Sequence, residues 1–205
     1  MRVSSVGYCF LVLSLLAIVF PSFGHSGGWL IHHVGSFKGK VIDAETKEPI
    51  AGAVVVAQYH VRFLGPTGWH RDRIDVQEAL TNEQGEFLIP PFTKGINPLS
   101  VGDDTSFLIW KPGYKKNELW GGYFFSKEPG TVEERPVQTP KGFVMKKVTL
   151  GIVELTLAKT MEERRMTKPE PIGEISEFKK QKILIKLINQ ERIFLGLEPY
   201  KKGLD

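Results

Sequence analysis

The 205-residue chain has one cysteine, Cys9. It lies in an apolar run close to the start, so a chain cleaved behind that run carries no thiol. Disulfide staples, thiolate metal sites and thiol catalysis are thereby excluded, and stability must come from a packed core. No Asn-x-Ser/Thr acceptor is present, and no second long apolar segment follows the first. The zinc-protease pattern His-Glu-x-x-His and the Gly-rich phosphate loop are also missing. One sign of charge does not dominate: the formal net charge is +4, with both signs mixed through the chain. Basic pairs such as Lys179-Lys180 and Lys201-Lys202 therefore read as solvated surface, and nucleic-acid binding is not expected.

What is present begins with an export signal. Arg2 gives a basic start, Cys9 to Phe20 an apolar run, and Ser22-Phe23-Gly24 small residues where a signal peptidase cuts. That run is too short to span a bilayer. Residues 1–24 are read as a signal peptide with cleavage after Gly24, which places the remainder in the periplasm, cell envelope or medium. Apolar content of 41% and charged content of 24% then suit a soluble domain with its own core rather than a disordered chain.

Residues 25–34 are expected to form a loose leader, and residues 35–158 a β-sandwich with loop insertions. Phe37 to Ile42 reads as a strand. In the long strand from Ala51 to Phe63, Ala53, Val55, Ala57, Tyr59, Val61 and Phe63 share one face, and Gln58, His60 and Arg62 the other. A period of two places one face on a core. Val54 and Val56 break the contrast, so that end of the strand should be covered on both sides. Gly65-Pro66-Thr67-Gly68 ends the strand, and Trp69 to Asp72 reads as loop. Glu78 to Thr81 and Glu86 to Ile89 read as a hairpin joined by Asn82 to Gly85. Pro90 to Asp104 is expected to be loop, Thr105 to Trp110 a strand, and Trp120 to Phe125 and Gly142 to Met145 shorter strands. Lys147 to Leu157 changes phase, which predicts a bulge near Gly151.

Residues 159–205 are expected to hold a linker and a helix. Thr160 to Pro171 is rich in charge and proline. Glu174 to Leu195 has helical spacing, with Ile175, Phe178, Leu184, Ile185, Ile188 and Leu195 on one stripe and Gly196 as its stop. The fold class expected is thus mainly β: an Ig-like or transthyretin-like sandwich with a C-terminal amphipathic helix that packs on the sandwich or binds a partner.

Three stretches carry a resemblance. Gly39, Val41, Asp43, Thr46, Pro49, Ile50, Gly52, Ala53 and Val55 fall in one pattern of strand, turn and strand. Thr81, Asn82, Gly85 and Phe87 form a second, and Lys111-Pro112-Gly113-Tyr114 a strand-ending third. Together they resemble the carboxypeptidase regulatory-like domain family of transthyretin-like sandwiches, from Gly35 to Tyr114 and onward to Leu157. The resemblance implies a non-catalytic accessory or scaffold module, since any peptidase activity in that family resides in a separate domain.

No catalytic residues, metal ligands or cofactor are assigned. A copper or zinc site built from His32 or His33 with His60 and His70 would need irregular backbone, because adjacent histidines in a strand point to opposite faces. Aromatic residues give the better candidates. Trp69, His70, Trp120 and Tyr123 are candidate ligand contacts, and Phe178, Leu184, Ile185 and Ile188 candidate partner contacts on the helix. The function expected is a secreted or envelope-associated binding or scaffold module for a protein partner. A carbohydrate-binding module using exposed Trp and Tyr is the alternative, and a metal-dependent enzyme a more distant one.

Overall fold

The computed structural model describes residues 30–139, 142–173 and 175–200. The signal peptide expected at residues 1–24 lies outside them. The described chain is mainly β, with two sheets packed as a sandwich and helices at its C-terminal end.

The described residues form twelve strands: β1 Ile31–Val34, β2 Phe37–Asp43, β3 Val54–Gly65, β4 Gly68–Leu80, β5 Glu86–Ile89, β6 Phe92–Gly95, β7 Ser100–Gly102, β8 Ser106–Trp110, β9 Asn117–Trp120, β10 Val132–Thr139, β11 Gly142–Thr149 and β12 Ile152–Leu155. One layer has the order β12-β2-β5, with β12 parallel to β2. The other has the order β4-β3-β8-β9, and β7 pairs the far end of β3. Between them lies the core, with Phe37, Val41, Val55, Tyr59, Phe87, Phe107, Ile109 and Leu155 all buried. Gly39 is where β2 passes closest to aromatic rings: a Cβ there would sit 2.5 Å from Phe87 and 2.9 Å from Phe125.

The alternation along β3 is as expected. Ala53, Val55, Ala57 and Tyr59 enter the inter-sheet core, while Val54 and Val56 face outward into a second cluster with Val76, Leu108, Trp110, Leu184 and Ile188. Leu184 and Ile188 belong to helix α2, Lys182–Phe194, so the helix covers that half of the sheet. At about 1.5–3 kcal/mol for each large apolar side chain buried, this contact is what orders the helix.

Several expectations need correction. The leader is not loose throughout, because Ile31–Val34 pairs antiparallel with Phe92–Gly95. A four-residue strand whose partner lies so far along the chain has almost no local signal. For the same reason Pro90 to Asp104 is not plain loop but holds β6 and β7. Trp69 to Asp72 is strand: Pro66-Thr67 joins β3 to β4 as a hairpin, with Gly65 opposite Gly68. Conversely, Glu78 to Ile89 is no hairpin, since β4 pairs β3 and β5 pairs β2. The turn between them carries the chain from one layer to the other. Asn82 Oδ1 accepts from the Gln84 and Glu86 amides there. Gly85 has φ +73, and a Cβ would meet the Val41 carbonyl at 2.4 Å. Trp120 ends β9, and Gly122–Phe125 is a 3-10 turn rather than strand. At Gly151, φ +72, the chain does not bulge but leaves the β10–β11 hairpin to enter β12.

The expected linker contains a helix, α1 Met161–Thr167. Thr160 Oγ1 accepts from the Glu163 amide at 3.1 Å and Glu163 accepts from the Lys159 amide at 2.8 Å, a local cap that needs no apolar stripe. The expected single helix from Glu174 is instead a 3-10 turn, Ile175–Lys180, followed by α2. The break falls at Gln181, which is fully buried and exchanges hydrogen bonds with both backbone groups of Ile172. Glu78 on β4 accepts from the amides of Ile183 and Leu184 at 2.7 and 3.0 Å, so a strand carboxylate caps α2. No helix among the described residues is long and apolar enough to cross a membrane.

Candidate functional site: an aromatic and arginine face

Beyond Gln58 the outward face of β3 is left open by α2. Registration places His60 opposite Arg73, Arg62 opposite Arg71, and Leu64 opposite Trp69. On the other side Ser106 of β8 lies opposite both Gln58 and Trp120. Side chains directly across a ladder share a face. Trp69 and Trp120, from distant parts of the sequence, are thus brought to one surface, 65% and 59% exposed.

Guanidinium groups interleave with these rings. Arg62 lies over Trp69 at 5.9 Å and Arg71 over Trp120 at 4.7 Å, both within cation–π range. One carboxylate serves both arginines. Asp103 accepts a hydrogen bond from Arg71 Nε and forms an ion pair with Arg62 Nε at 3.2 Å, its side chain only 7% exposed. Its amide donates to the His60 carbonyl at 2.9 Å, which fixes it beside β3. Burial works to raise the Asp103 carboxyl, but the hydrogen bond from Arg71 and the charges of both arginines outweigh it and hold it below the usual carboxylate range.

His60 is buried beneath Trp120, ring centroids 5.3 Å apart, with Nε2 2.9 Å from Ser106 Oγ. Burial, then the charges of Arg71 and Arg73, push its imidazole below the ordinary histidine range, so it is neutral at neutral pH. Ser106 lies in a strand paired on both sides, and the pair is a satisfied buried hydrogen bond. Beside it opens a cleft of about 570 Å³, walled by His60, Ser106 and Trp120 on the sheet, by Met166 of α1 and by Lys168 and Pro169 after it.

The other candidates fall elsewhere. His70 turns to the opposite face of β4, stacked on Phe63 with Nε2 2.8 Å from Thr67 Oγ1. Tyr123 donates to Glu133 at 2.9 Å with Arg135 over its ring at 4.1 Å, so it belongs to the foot of the β10–β11 hairpin. Phe178 is half-buried. Leu184, Ile185 and Ile188 are fully buried and cannot contact a partner while α2 is docked. The histidines considered for copper or zinc do not converge. His32 is buried against Phe92, His33 bonds Thr93, and His60 and His70 lie on opposite faces. Among the described residues no three His, Cys, Asp or Glu side chains gather to hold a metal.

Arg62, Arg71, Arg73 and Asp103 were not anticipated as a group. Their signal was the alternation Trp69-x-Arg71-x-Arg73, visible once that stretch is recognised as strand rather than loop.

The fold defines a sandwich-like β chain with a docked C-terminal helix, and the site a flat face of indole and guanidinium groups. No protein-family description matches the sequence, and no curated protein matches it. Among solved structures, a 3-chlorocatechol 1,2-dioxygenase from Rhodococcus opacus has 15% identity and a TM-score of 0.29, covering 67% of this chain and 63% of that one. The Acinetobacter radioresistens catechol 1,2-dioxygenase also has 15% identity and a TM-score of 0.29, over 68% and 55% of the two chains. A 9R-lipoxygenase from Cyanothece has 10% identity and a TM-score of 0.23, over 94% and 28%. The chain spans less than two thirds of the length of each. Likenesses this slight carry neither fold nor activity across.

Proposed function

We propose that the protein is an exported, non-catalytic binding module whose ligand is held on the face bearing Trp69 and Trp120. The observation that carries this reading is the exposure of two indoles on one surface of a rigid sheet, each held by an arginine. Large aromatic rings left in water beside fixed charges are the composition of a recognition surface. Burial of Leu184, Ile185 and Ile188 argues against a protein partner docking on the helix stripe. The exposed indoles favour the carbohydrate-binding alternative, in which sugar rings stack on them.

Export rests on the pattern of residues 1–24, and destines the mature chain for the envelope or the medium. A carboxypeptidase regulatory-like module remains our reading of the sandwich. Its support is that the matched residues serve the fold: Thr81 bonds Ala53 and Ile50, Asp43 closes its turn on Glu45 and Thr46, and the Trp110 indole donates to the Tyr114 carbonyl.

Capture from an extract of the producing cell's surface tests the reading. The native chain is expected to retain a ligand that a Trp69→Ala/Trp120→Ala variant of unchanged melting temperature does not. Equal capture by both would sink it. Recovery of the protein outside the cytoplasm with His25 as its first residue is the expected outcome for export, and an intact Met1 is the contrary one.

A further inference from the structure

We infer that the ligand of the Trp69–Trp120 face is an acidic polysaccharide, with Arg62 and Arg71 gripping its carboxylates while the indoles stack on its sugar rings. The inference rests on the binding-module reading and adds the chemistry of the ligand.

Charge complementarity leads to it. Two guanidinium groups share one carboxylate, Asp103, so the centre of the face keeps a net positive charge. Both arginines meet Asp103 through Nε. Among the described residues their Nη atoms make no hydrogen bond within the protein. The Nη pair of a guanidinium is the fork that binds a carboxylate in bidentate fashion. Both side chains are substantially exposed, 50% for Arg62 and 42% for Arg71, so the forks are open to water. Asp103 acts as a positioning residue. Held to the His60 carbonyl, it sets the two forks side by side without using them.

The aromatic part selects the kind of anion. A uronic acid presents a flat C–H face that stacks on an indole, and its carboxylate projects from the edge of the same ring. A sugar ring packed against the exposed part of Trp69 or Trp120 therefore brings its carboxylate to the arginine beside that indole. An acidic peptide offers flexible carboxylates with no flat apolar face, and a neutral glycan leaves the forks unanswered. The surface is an open sheet crossed by several strands, which suits an extended chain rather than a small enclosed ligand.

Calorimetric titration of the full-length chain at low salt tests this, with oligogalacturonate, a neutral oligosaccharide of equal length and poly-glutamate as probes. Oligogalacturonate is expected to bind, and the other two to bind at least tenfold more weakly. Arg71→Ala and Arg62→Ala should each weaken it about tenfold or more, as expected for loss of a charge-assisted hydrogen bond. Arg71→Lys should recover only part, because an ammonium keeps the charge without the fork. Trp69→Ala and Trp120→Ala should each weaken binding severalfold. Asp103→Asn separates positioning from charge: positioning predicts weaker binding although the face becomes more positive, and tighter binding with a steeper salt dependence contradicts it. Melting temperatures of all variants check that the fold is kept.

Equal binding of the neutral oligosaccharide overturns the inference, as does equal binding of poly-glutamate that ignores the tryptophan changes, or no binding of oligogalacturonate at millimolar concentration. If a neutral glycan or a captured protein binds and is lost with Trp69→Ala, the binding-module reading stands while this inference falls. If no ligand depends on either indole, both fall.

Discussion

Strand β3 presents two surfaces on one side of its sheet. Around Val54 and Val56 the outward residues are apolar, and α2 lies over them with Leu184 and Ile188 buried completely. A few residues on, Arg62, Arg71, Trp69 and Trp120 are exposed, with His60 buried beneath Trp120. β3 runs through both halves, and its register with β4 shifts at a bulge between Tyr59 and His60, where one half gives way to the other. The covered half is held against α2, and the open half is the surface on which we propose that a ligand is bound. In the open half Asp103 is withdrawn from water between two half-exposed arginines.

The sharpest way to break this contrast lies at the edge of the covered half. Arg164 of α1 meets Glu191 of α2 through two hydrogen bonds of 2.6 Å, and Glu191 is 2% exposed. Arg164→Leu strands a buried carboxylate and should cost about 3–5 kcal/mol in urea unfolding, with most of it restored by adding Glu191→Leu. A cost under 1 kcal/mol would mean that α1 and α2 are not clasped together.

Truncation within the covered half comes next. Leu184→Ala and Ile188→Ala should each lower unfolding free energy by about 2–5 kcal/mol through lost burial and the cavity left behind. Values within experimental error of the parent chain would detach α2 from the sheet and return its stripe to partner binding.

Histidine titration at the border should give a smaller effect. Burial depresses the imidazoles of His32 and His60 in the folded state. A group whose folded pKa is lowered contributes stability above its unfolded value, near 6.5, and loses it as pH falls from there through the folded value. The urea midpoint should therefore drop between pH 7.5 and 5.5, and His60→Asn should reduce the size of that drop. An identical drop in the variant would show that His60 stays accessible to protons.

Least of all should change in the open half. Trp69→Ala is expected to alter stability by no more than about 0.5 kcal/mol, by thermal melting, while weakening ligand binding severalfold. A large destabilisation would make Trp69 a structural residue and erase the difference between the halves.

The covered half was legible in advance, because apolar residues declare themselves by period. The double covering of Val54 and Val56 and the stripe through Leu184 and Ile188 follow from alternation and helical spacing alone. Paired length obscured the rest. β1, β6 and β7 are three or four residues each, too short for a periodic signal, and they form because distant strands meet them. The Asn82–Gly85 turn was read correctly in its chemistry and wrongly in its pairing, since a tight turn fixes local direction but not which layer follows. Asp103 illustrates the limit for the site: next to Gly102 and Asp104 it reads as an ordinary turn carboxylate, and only the pairing of β7 with β3 brings it beneath Arg62 and Arg71. Trp69 and Trp120 are legible as candidate contacts from residue type alone, yet their common face depends on β8 joining β3 to β9.

The parallel pairing of β12 with β2 also governs when the molecule can finish folding. Phe37–Asp43 is the middle strand of its layer, and one of its two neighbours, Ile152–Leu155, is made after every other strand. A polypeptide emerging end-first, from a ribosome or a translocation pore, cannot close that layer until Leu155 has come through. Contacts so distant in sequence form slowly, so the β12-β2-β5 layer is the later of the two to be completed.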